Sequence, residues 1–320
     1  MSGRSGGASV AGAGTLLVLL TAVVSGVSTF VNSYAPLGTG TDVFVTVRNV
    51  LVALALVPFV LLLRPAASAP LSRRDWGRLV AIGVIGGGVP FLLFFHGLAL
   101  AAAAGGAATA SFGYRTLFLF ATVLGVVVLR ERLHLRIVAA AGLLLLGNVL
   151  LLGLTSPVLV DGTAFVMAAT GLWAVEYMIS KRALADLPTG TVALGRMGIG
   201  ALVLVGYLGA TAQLGRVAEF GPTDWAWIGL SAVLLLAFVA SWYAGLKRVD
   251  LGVAASALVL GFPITFALTF ALRGGPLALP PAVGAAIVTA GVAMALGAAA
   301  LRATARAVKR RLVGTPAAVT

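Results

Sequence analysis

The sequence has no cysteine, which excludes disulfides, thiol nucleophiles and thiolate metal sites and leaves the redox compartment open. It is almost as poor in acid, with nine Asp and Glu and two His in 320 residues. The acids are scattered singly and the two histidines stand far apart. No magnesium cluster, metal site or Ser-His constellation can be assembled from them, so neither a metal nor a catalytic centre is expected. A Gly-rich phosphate loop followed by Lys is also missing, which argues against nucleotide-driven work and against a resident cofactor.

Charge as a whole is scarce. Only 10% of residues are charged, against roughly 25% in a soluble domain, whose surface must be wetted. Hydrophobic residues make up 60% and the mean hydropathy is +1.10. Such a chain cannot cover a water-facing surface, so its solvent is the lipid bilayer. A span needs about 20 apolar residues, so ten spans would take roughly 200 of the 320 and leave only short loops and tails.

What charge there is runs strongly positive, +13 at neutral pH. The basic residues sit in short clusters between apolar runs, which marks topology rather than nucleic-acid binding. The apolar runs fall near 15–35, 42–63, 79–100, 105–128, 135–153, 162–180, 190–212, 225–246, 251–271 and 281–301. They are continuously apolar and twice the length of a barrel strand, so they are read as helices. Leu16–Val24 behind Arg4 has the look of a signal-peptide core, but the apolar pattern continues to Phe30 and the charge alternation needs this segment as a span.

With the N-terminus inside, 17 of the 22 Lys and Arg fall on the cytoplasmic side. They are Arg4, Arg64, Arg73, Arg74, Arg78, Arg130, Arg132, Arg136, Lys181, Arg182, Lys247, Arg248, Arg302, Arg306, Lys309, Arg310 and Arg311. Arg216 and Arg273 fall outside, and Arg48, Arg115 and Arg196 lie within spans. The positive-inside rule then puts both termini in the cytoplasm of a multi-pass protein of the plasma membrane. Trp76, Trp225 and Trp227 sit at the expected interfaces.

The chain also repeats itself. Phe94-Phe95-His96-Gly97-Leu98 matches Trp242-Tyr243-Ala244-Gly245-Leu246 at an offset of 148, and the same offset puts Gly113 on Gly261 and Phe118 on Phe266. Leu133 to Gly147 matches Leu277 to Gly291 at an offset of 144. A five-helix unit used twice follows, and because five is odd the copies must be inverted in the membrane. The expected fold is all-α, ten transmembrane helices as two inverted repeats. Its parts are a tail (1–14), a first repeat (15–153), a connection (154–161), a second repeat (162–301) and a basic tail (302–320). Inverted repeats of this kind build alternating-access transporters with the substrate site near the midplane.

The stretch Gly125–Gly147, GVVVLRERLHLRIVAAAGLLLLG, resembles the end of the fourth and the whole fifth helix of EamA-type drug/metabolite transporters. Arg48 in the second span, Trp173 in the sixth and Gly261-Phe262-Pro263 in the ninth also sit where that family's pattern expects them. The resemblance covers about 15–301 and implies a secondary transporter that exports a small polar metabolite. Two departures stand out. Gly275 occupies the position in the second half that Glu131 holds in the first, and Arg115 replaces the counterpart of Pro263.

An ionisable group at membrane depth costs roughly 2.5–3.5 kcal/mol on insertion scales, so it lines a cavity or has a partner. Five qualify: Arg48, His96, Arg115, Glu176 and Arg196. Arg115 is about ten residues from either end of its span, or ~15 Å, too deep to snorkel. Ala108, Ser111 and Thr122 share its face. Glu176 shares a face with Trp173 and Ser180 and precedes Tyr177. It is the one carboxylate well inside a span, and the group expected to carry a proton if protons couple transport. Arg48 and Arg196 are near-equivalents across the repeats, suited to a site or to anchoring. His96 is a second coupling candidate, with an interfacial role as the alternative. Thr21, Ser25, Ser28, Thr29 and Asn32 form a polar stripe on the first span, fit either for a water-filled cavity or for interhelical hydrogen bonds. Phe30 aligns with Tyr177, so Thr29 matches Glu176 and both are expected to face one cavity.

Three arginines against one glutamate favour a carboxylate-bearing substrate such as an amino acid or organic acid. The expected substrate contacts are Arg115, Glu176, Trp173, Tyr177, Ser28, Asn32, Arg48 and Arg196. The rival class is a non-transporting scaffold or signalling subunit. Small residues four apart, Gly83/Gly87, Ala286/Ala290 and Gly291/Ala295, fit close helix packing or a homodimer face.

Overall fold

The computed structural model describes residues 3–35, 40–63, 70–103, 112–153, 161–273, 278–298, 300–302 and 304–305, and every described element is helical. Arg64, Ala108, Ser111, Gly275, Leu277 and Arg306 to Arg311 lie outside them. The helices are α1 (Gly3–Asn32), α2 (Thr41–Leu63), α3 (Arg73–Ile82), α4 (Val89–Ala103), α5 (Leu117–Val127), α6 (Leu135–Leu152), α7 (Thr163–Asp186), α8 (Thr189–Ala210), α9 (Pro222–Leu246), α10 (Leu251–Leu258), α11 (Gly261–Arg273) and α12 (Leu279–Leu296). A π-helical turn, Gly83–Gly88, joins α3 to α4, and α10 runs into α11 as one crossing. Among the described residues this makes nine segments long and apolar enough to span a bilayer, plus the shorter Phe112–Val127. The expected ten-crossing plan holds. The sixth crossing extends six residues beyond its apolar run because Lys181, Arg182 and Asp186 continue the helix into the interface.

Local chemistry sets the ends. Ser72 caps α3, its hydroxyl accepting from the Asp75 amide at 3.2 Å while Asp75 accepts from the Ser72 amide at 3.1 Å. Pro222 opens α9, where its missing N–H is one of the orphan donors anyway, and Asp224 accepts from the Gly221 amide at 2.9 Å. Gly153 ends α6 at φ 64°, a conformation that favours glycine.

Packing reveals the internal symmetry. α1 packs on α9 as α7 packs on α4, and α1 on α11 as α7 on α5; α2 meets α8, and α6 meets α12. Single residues repeat the rule. A Cβ on Gly97 would meet Val166 at 3.1 Å, and one on Gly245 would meet Val18 at 2.7 Å. Both members of each contact are related by the same 148-residue offset. A Cβ on Gly147 would meet Val288 at 2.8 Å, and one on Gly291 would meet Leu144 at 3.1 Å, which are related by the offset of 144. The matched glycines are therefore places where the two halves approach closely in the same way twice. In lipid such close approach drives association, since apolar side chains gain nothing by leaving lipid for protein.

The small-residue stripes are largely consumed inside the chain. Gly83 and Gly87 face α8 at Gly195, Arg196 and Gly200, and Gly291 and Ala295 are buried. Ala286 and Ala290 remain exposed.

Candidate functional site

A cavity of about 720 Å³ lies between the halves. Seven of the eight residues expected to contact substrate line it: Arg115, Trp173, Tyr177, Ser28, Asn32, Arg48 and Arg196. Three of the crossings that build it have breaks in them. The π-helical turn carries Gly86, whose carbonyl is free to accept from Trp173 Nε1 at 3.0 Å and from Arg196 Nη2 at 3.3 Å. The fourth crossing is interrupted at Thr116, directly after Arg115, and the ninth at Val259–Leu260, just before Phe262. Discontinuous helices at the midplane are the usual way membrane proteins offer polar groups to a substrate.

Arg115 Nη1 donates to Asn148 Oδ1 at 3.1 Å, and its guanidinium lies 3.9 Å above the Phe262 ring. Asn148 is oriented by its own donation from Nδ2 to Leu144 O at 2.8 Å. Arg115 Nε is buried without a hydrogen-bond partner. The expected stripe around Arg115 is not a cavity wall at Thr122, which packs against Gly252 of α10.

Glu176 is the exception among the expected contacts. It is buried but does not line the cavity. It accepts from Ser180 Oγ at 2.5 Å and from Tyr243 OH at 2.9 Å, and its other oxygen lies 3.5 Å from Arg196 Nε. The expected match with Thr29 shifts by one residue: the packing offset of 148 pairs Glu176 with Ser28, which lines the cavity while Glu176 does not. Gly86 makes room for this placement beside Arg196, since a Cβ on Gly86 would sit 2.2 Å from Glu176 Cγ. Arg196 is thus drawn inward by an acid rather than snorkelling. Among the described residues Arg48 hydrogen-bonds its neighbour Asn49, through Nε and Nη2 to Oδ1 at 3.3 and 3.2 Å. His96 is exposed, edge-on to Phe165 with ring centres 5.0 Å apart, and is not brought to the cavity.

On the first crossing both readings of the polar stripe are realised. Ser25, Ser28, Thr29 and Asn32 line the cavity, whereas Thr21 is buried and donates to Ser241 Oγ on α9 at 2.9 Å. Asn32 donates to Ser28 Oγ at 3.1 Å.

The remaining wall is aromatic. Phe91, Phe94, Tyr114 and Trp173 form a contiguous cluster with centroids 5.3–5.5 Å apart, and Tyr114 reaches Phe262 at 6.4 Å. Sequence reasoning singled out neither Tyr114 nor Asn148 for the site. Asn148 carried a usable signal, being the only amide in the run LLLLGNVLLL; Tyr114 did not, since interfacial and core tyrosines look alike in sequence.

The cavity extends to the connection after α1, at Ser33, Ala35 and Thr41. At the opposite, arginine-rich end the connections are tied together. Lys181 Nζ donates to Leu246 O and Val249 O at 2.7 and 2.5 Å, and Arg182 to Val128 O at 2.8 Å. Glu131 accepts from the Leu251 amide at 2.7 Å, where its charge also meets the positive end of α10. The family resemblance of the Glu-Arg-Leu stretch therefore has a physical content: its glutamate caps a helix of the other half.

Comparison with known proteins accords with this architecture. No curated protein matches the chain. A solved structure titled only "Crystal structure of protein" is similar in fold, with a TM-score of 0.68, 18% identity, and coverage of 88% of this chain and 96% of its own. The EamA-like transporter family matches twice, over residues 12–153 and 161–297, one match for each half of the symmetric packing. With most of its length accounted for in this way, the chain belongs to the EamA-like transporter family.

Proposed function

We propose that this protein is a secondary active transporter that exports a small carboxylate-bearing metabolite across the plasma membrane by alternating access between its two halves. One observation carries the reading: among the described residues the cavity lining holds three arginines and no carboxylate, since Glu176 is buried off the cavity against Arg196. A guanidinium at membrane depth demands a counter-group, and its planar fork suits a carboxylate. By the charge distribution both termini are cytoplasmic, so the end reached at Ser33 and Thr41 is the outward one. The ties of Lys181, Arg182 and Glu131 are then the contacts that must part for inward opening. The domain boundaries proposed are those of the two repeats, 15–153 and 162–301.

Protons are the proposed coupling ion, with Glu176 the carrier because it is a buried carboxylate paired with the cavity-lining Arg196, whereas His96 is exposed and stands off the cavity. A homodimer would find only the exposed Ala286/Ala290 face among the small-residue stripes. The test is flux in proteoliposomes loaded with a mixture of amino acids and organic acids under an imposed pH gradient. Glu176→Gln should retain exchange and lose pH-driven accumulation. Absence of flux for every component in a folded preparation would favour the scaffold reading instead.

A further inference from the structure

The cationic groups of the cavity do not form a single cluster. Arg48 and Arg196 stand on α2 and α8, which pack together, and 148 residues separate them, the repeat offset. Arg196 is tethered by Gly86 O, the same carbonyl that holds Trp173. From Trp173 the wall continues to Tyr114 at 5.3 Å, then to Phe262 at 6.4 Å, and Phe262 lies beneath Arg115. A strip of rings thus runs from one cationic pole to the other.

The charges at the two poles are unequally answered. Glu176 offsets Arg196, but among the described residues no carboxylate lies within ion-pair distance of Arg48 or Arg115. Two positive charges are left for whatever fills the cavity. Arg115 has been prepared for this: Asn148 fixes one arm of the fork, the Phe262 face supports the guanidinium, and the buried Nε has no protein partner. Among the described residues Arg48 is held by the side chain next to it, Asn49.

Resting on the carboxylate reading above, we propose that the cavity is a two-pole site for a flat-bodied dianion. One acidic group binds the Arg115–Asn148–Phe262 pole, the other binds the Arg48–Arg196 pole, and an unsaturated or aromatic body lies along Trp173 and Tyr114. A monoanion satisfies one pole and leaves the other charge unpaired in a low-dielectric space, which is costly. A dianion satisfies both and adds a second charge-assisted contact. Stacking against the rings adds selectivity for a flat body over a flexible chain, which also loses more rotational freedom on binding.

The experiment measures binding of benzoate, terephthalate and adipate to the purified full-length protein by titration calorimetry. Terephthalate should bind about tenfold or more tighter than benzoate, the gain expected of one further charge-assisted contact. Adipate should be weaker than terephthalate. Arg115→Gln should bring terephthalate down to the affinity of benzoate, erasing the preference between the two ligands, because only the other pole remains. Arg48→Gln provides the same comparison from the opposite pole if the first variant does not fold. Equal affinity of wild-type protein for benzoate and terephthalate overturns the two-pole site while leaving the carboxylate reading intact. Binding of none of the three, with flux of other compounds, overturns both.

Discussion

The buried pair of Glu176 and Arg196 offers the most direct perturbation of the site. Glu176 is fully buried, Arg196 is 5% exposed, and the 3.5 Å between carboxylate oxygen and guanidinium nitrogen is, among the described residues, the only ion pair of either. Glu176→Gln keeps the volume and leaves acceptors for the neighbours, since the amide oxygen can still receive from Tyr243. It removes the charge that answers Arg196. Deleting one partner of a buried pair costs about 3–5 kcal/mol, mostly for the charge left behind. The two hydrogen bonds retained from Ser180 and Tyr243 place this case at the lower end, about 3 kcal/mol. Arg196→Met should cost a similar amount by stranding Glu176. The double variant strands neither charge, so its loss should fall short of the sum of the singles by about 2 kcal/mol or more, within the range for residues in one network. The assay is equilibrium unfolding of the detergent-solubilised protein for wild type, both singles and the double. Additivity to within about 0.5 kcal/mol would mean the pair is not energetically coupled. The account of why Glu176 turns away from the cavity would then be wrong.

Three further outcomes follow from separate features. Arg115→Lys should weaken binding of a carboxylate by about tenfold, because a point charge replaces a fork held by Asn148 and Phe262; Arg115→Leu should abolish flux in a protein that still folds, and wild-type flux there would misplace the site. Gly86→Ala should be strongly destabilising, by about 1–3 kcal/mol or more, because its Cβ would meet Glu176 Cγ at 2.2 Å, whereas Gly142→Ala, with nothing within 4 Å, should be neutral or better; comparison of unfolding midpoints decides. Glu131, in the connection between α5 and α6, is pushed above the ordinary value of 4.5 chiefly by burial, with the Leu251 amide opposing. A raised carboxyl contributes stability that is present below the unfolded value and lost as pH rises through the folded one, so Glu131→Gln should flatten the fall in melting temperature just above pH 4.5.

How far the sequence reveals this molecule depends on which physical signal each residue leaves. Spans are legible because lipid admits long apolar runs and little else, and the crossing count follows from charge parity. The site is legible wherever a charge interrupts such a run, which is why Arg48, Arg115 and Arg196 could be named without coordinates. Orientation is not legible. Glu176 sits one residue before Tyr177, and a 100° step decides that Tyr177 faces the cavity while Glu176 faces Ser180 and Tyr243. The π-helical turn is equally hidden, since Gly83–Gly88 reads as a plain small-residue segment. Its wider turn, however, frees the Gly86 carbonyl for Trp173 and Arg196. Partners drawn from different helices, such as Asn148 for Arg115, need the packing of separate spans and leave only the faint mark of a lone amide.

The two halves divide their labour between likeness and difference. Where the repeats agree, the residues are scaffold: Gly97 and Gly245, Val166 and Val18, Gly147 and Gly291, Leu144 and Val288 make the same close contacts twice. Where they disagree, the residues carry charge or polarity. Arg115 stands against Pro263, Glu176 against Ser28 at the packing offset of 148, and Asn148 against Val292 at the offset of its helix. A perfectly symmetric pair of halves would make the inward and outward states equal in energy and give the cavity identical poles. The substitutions remove that degeneracy. They leave the packing of α1 on α9 and of α4 on α7 untouched, so the halves keep the interface on which they would rock, while one pole gains a guanidinium held by an amide and a ring. Arg48 and Arg196 are the instructive middle case: the repeat conserves the arginine, but only Arg196 has an acid behind it. The asymmetry of the site therefore resides as much in the residues that support each cation as in the cations themselves.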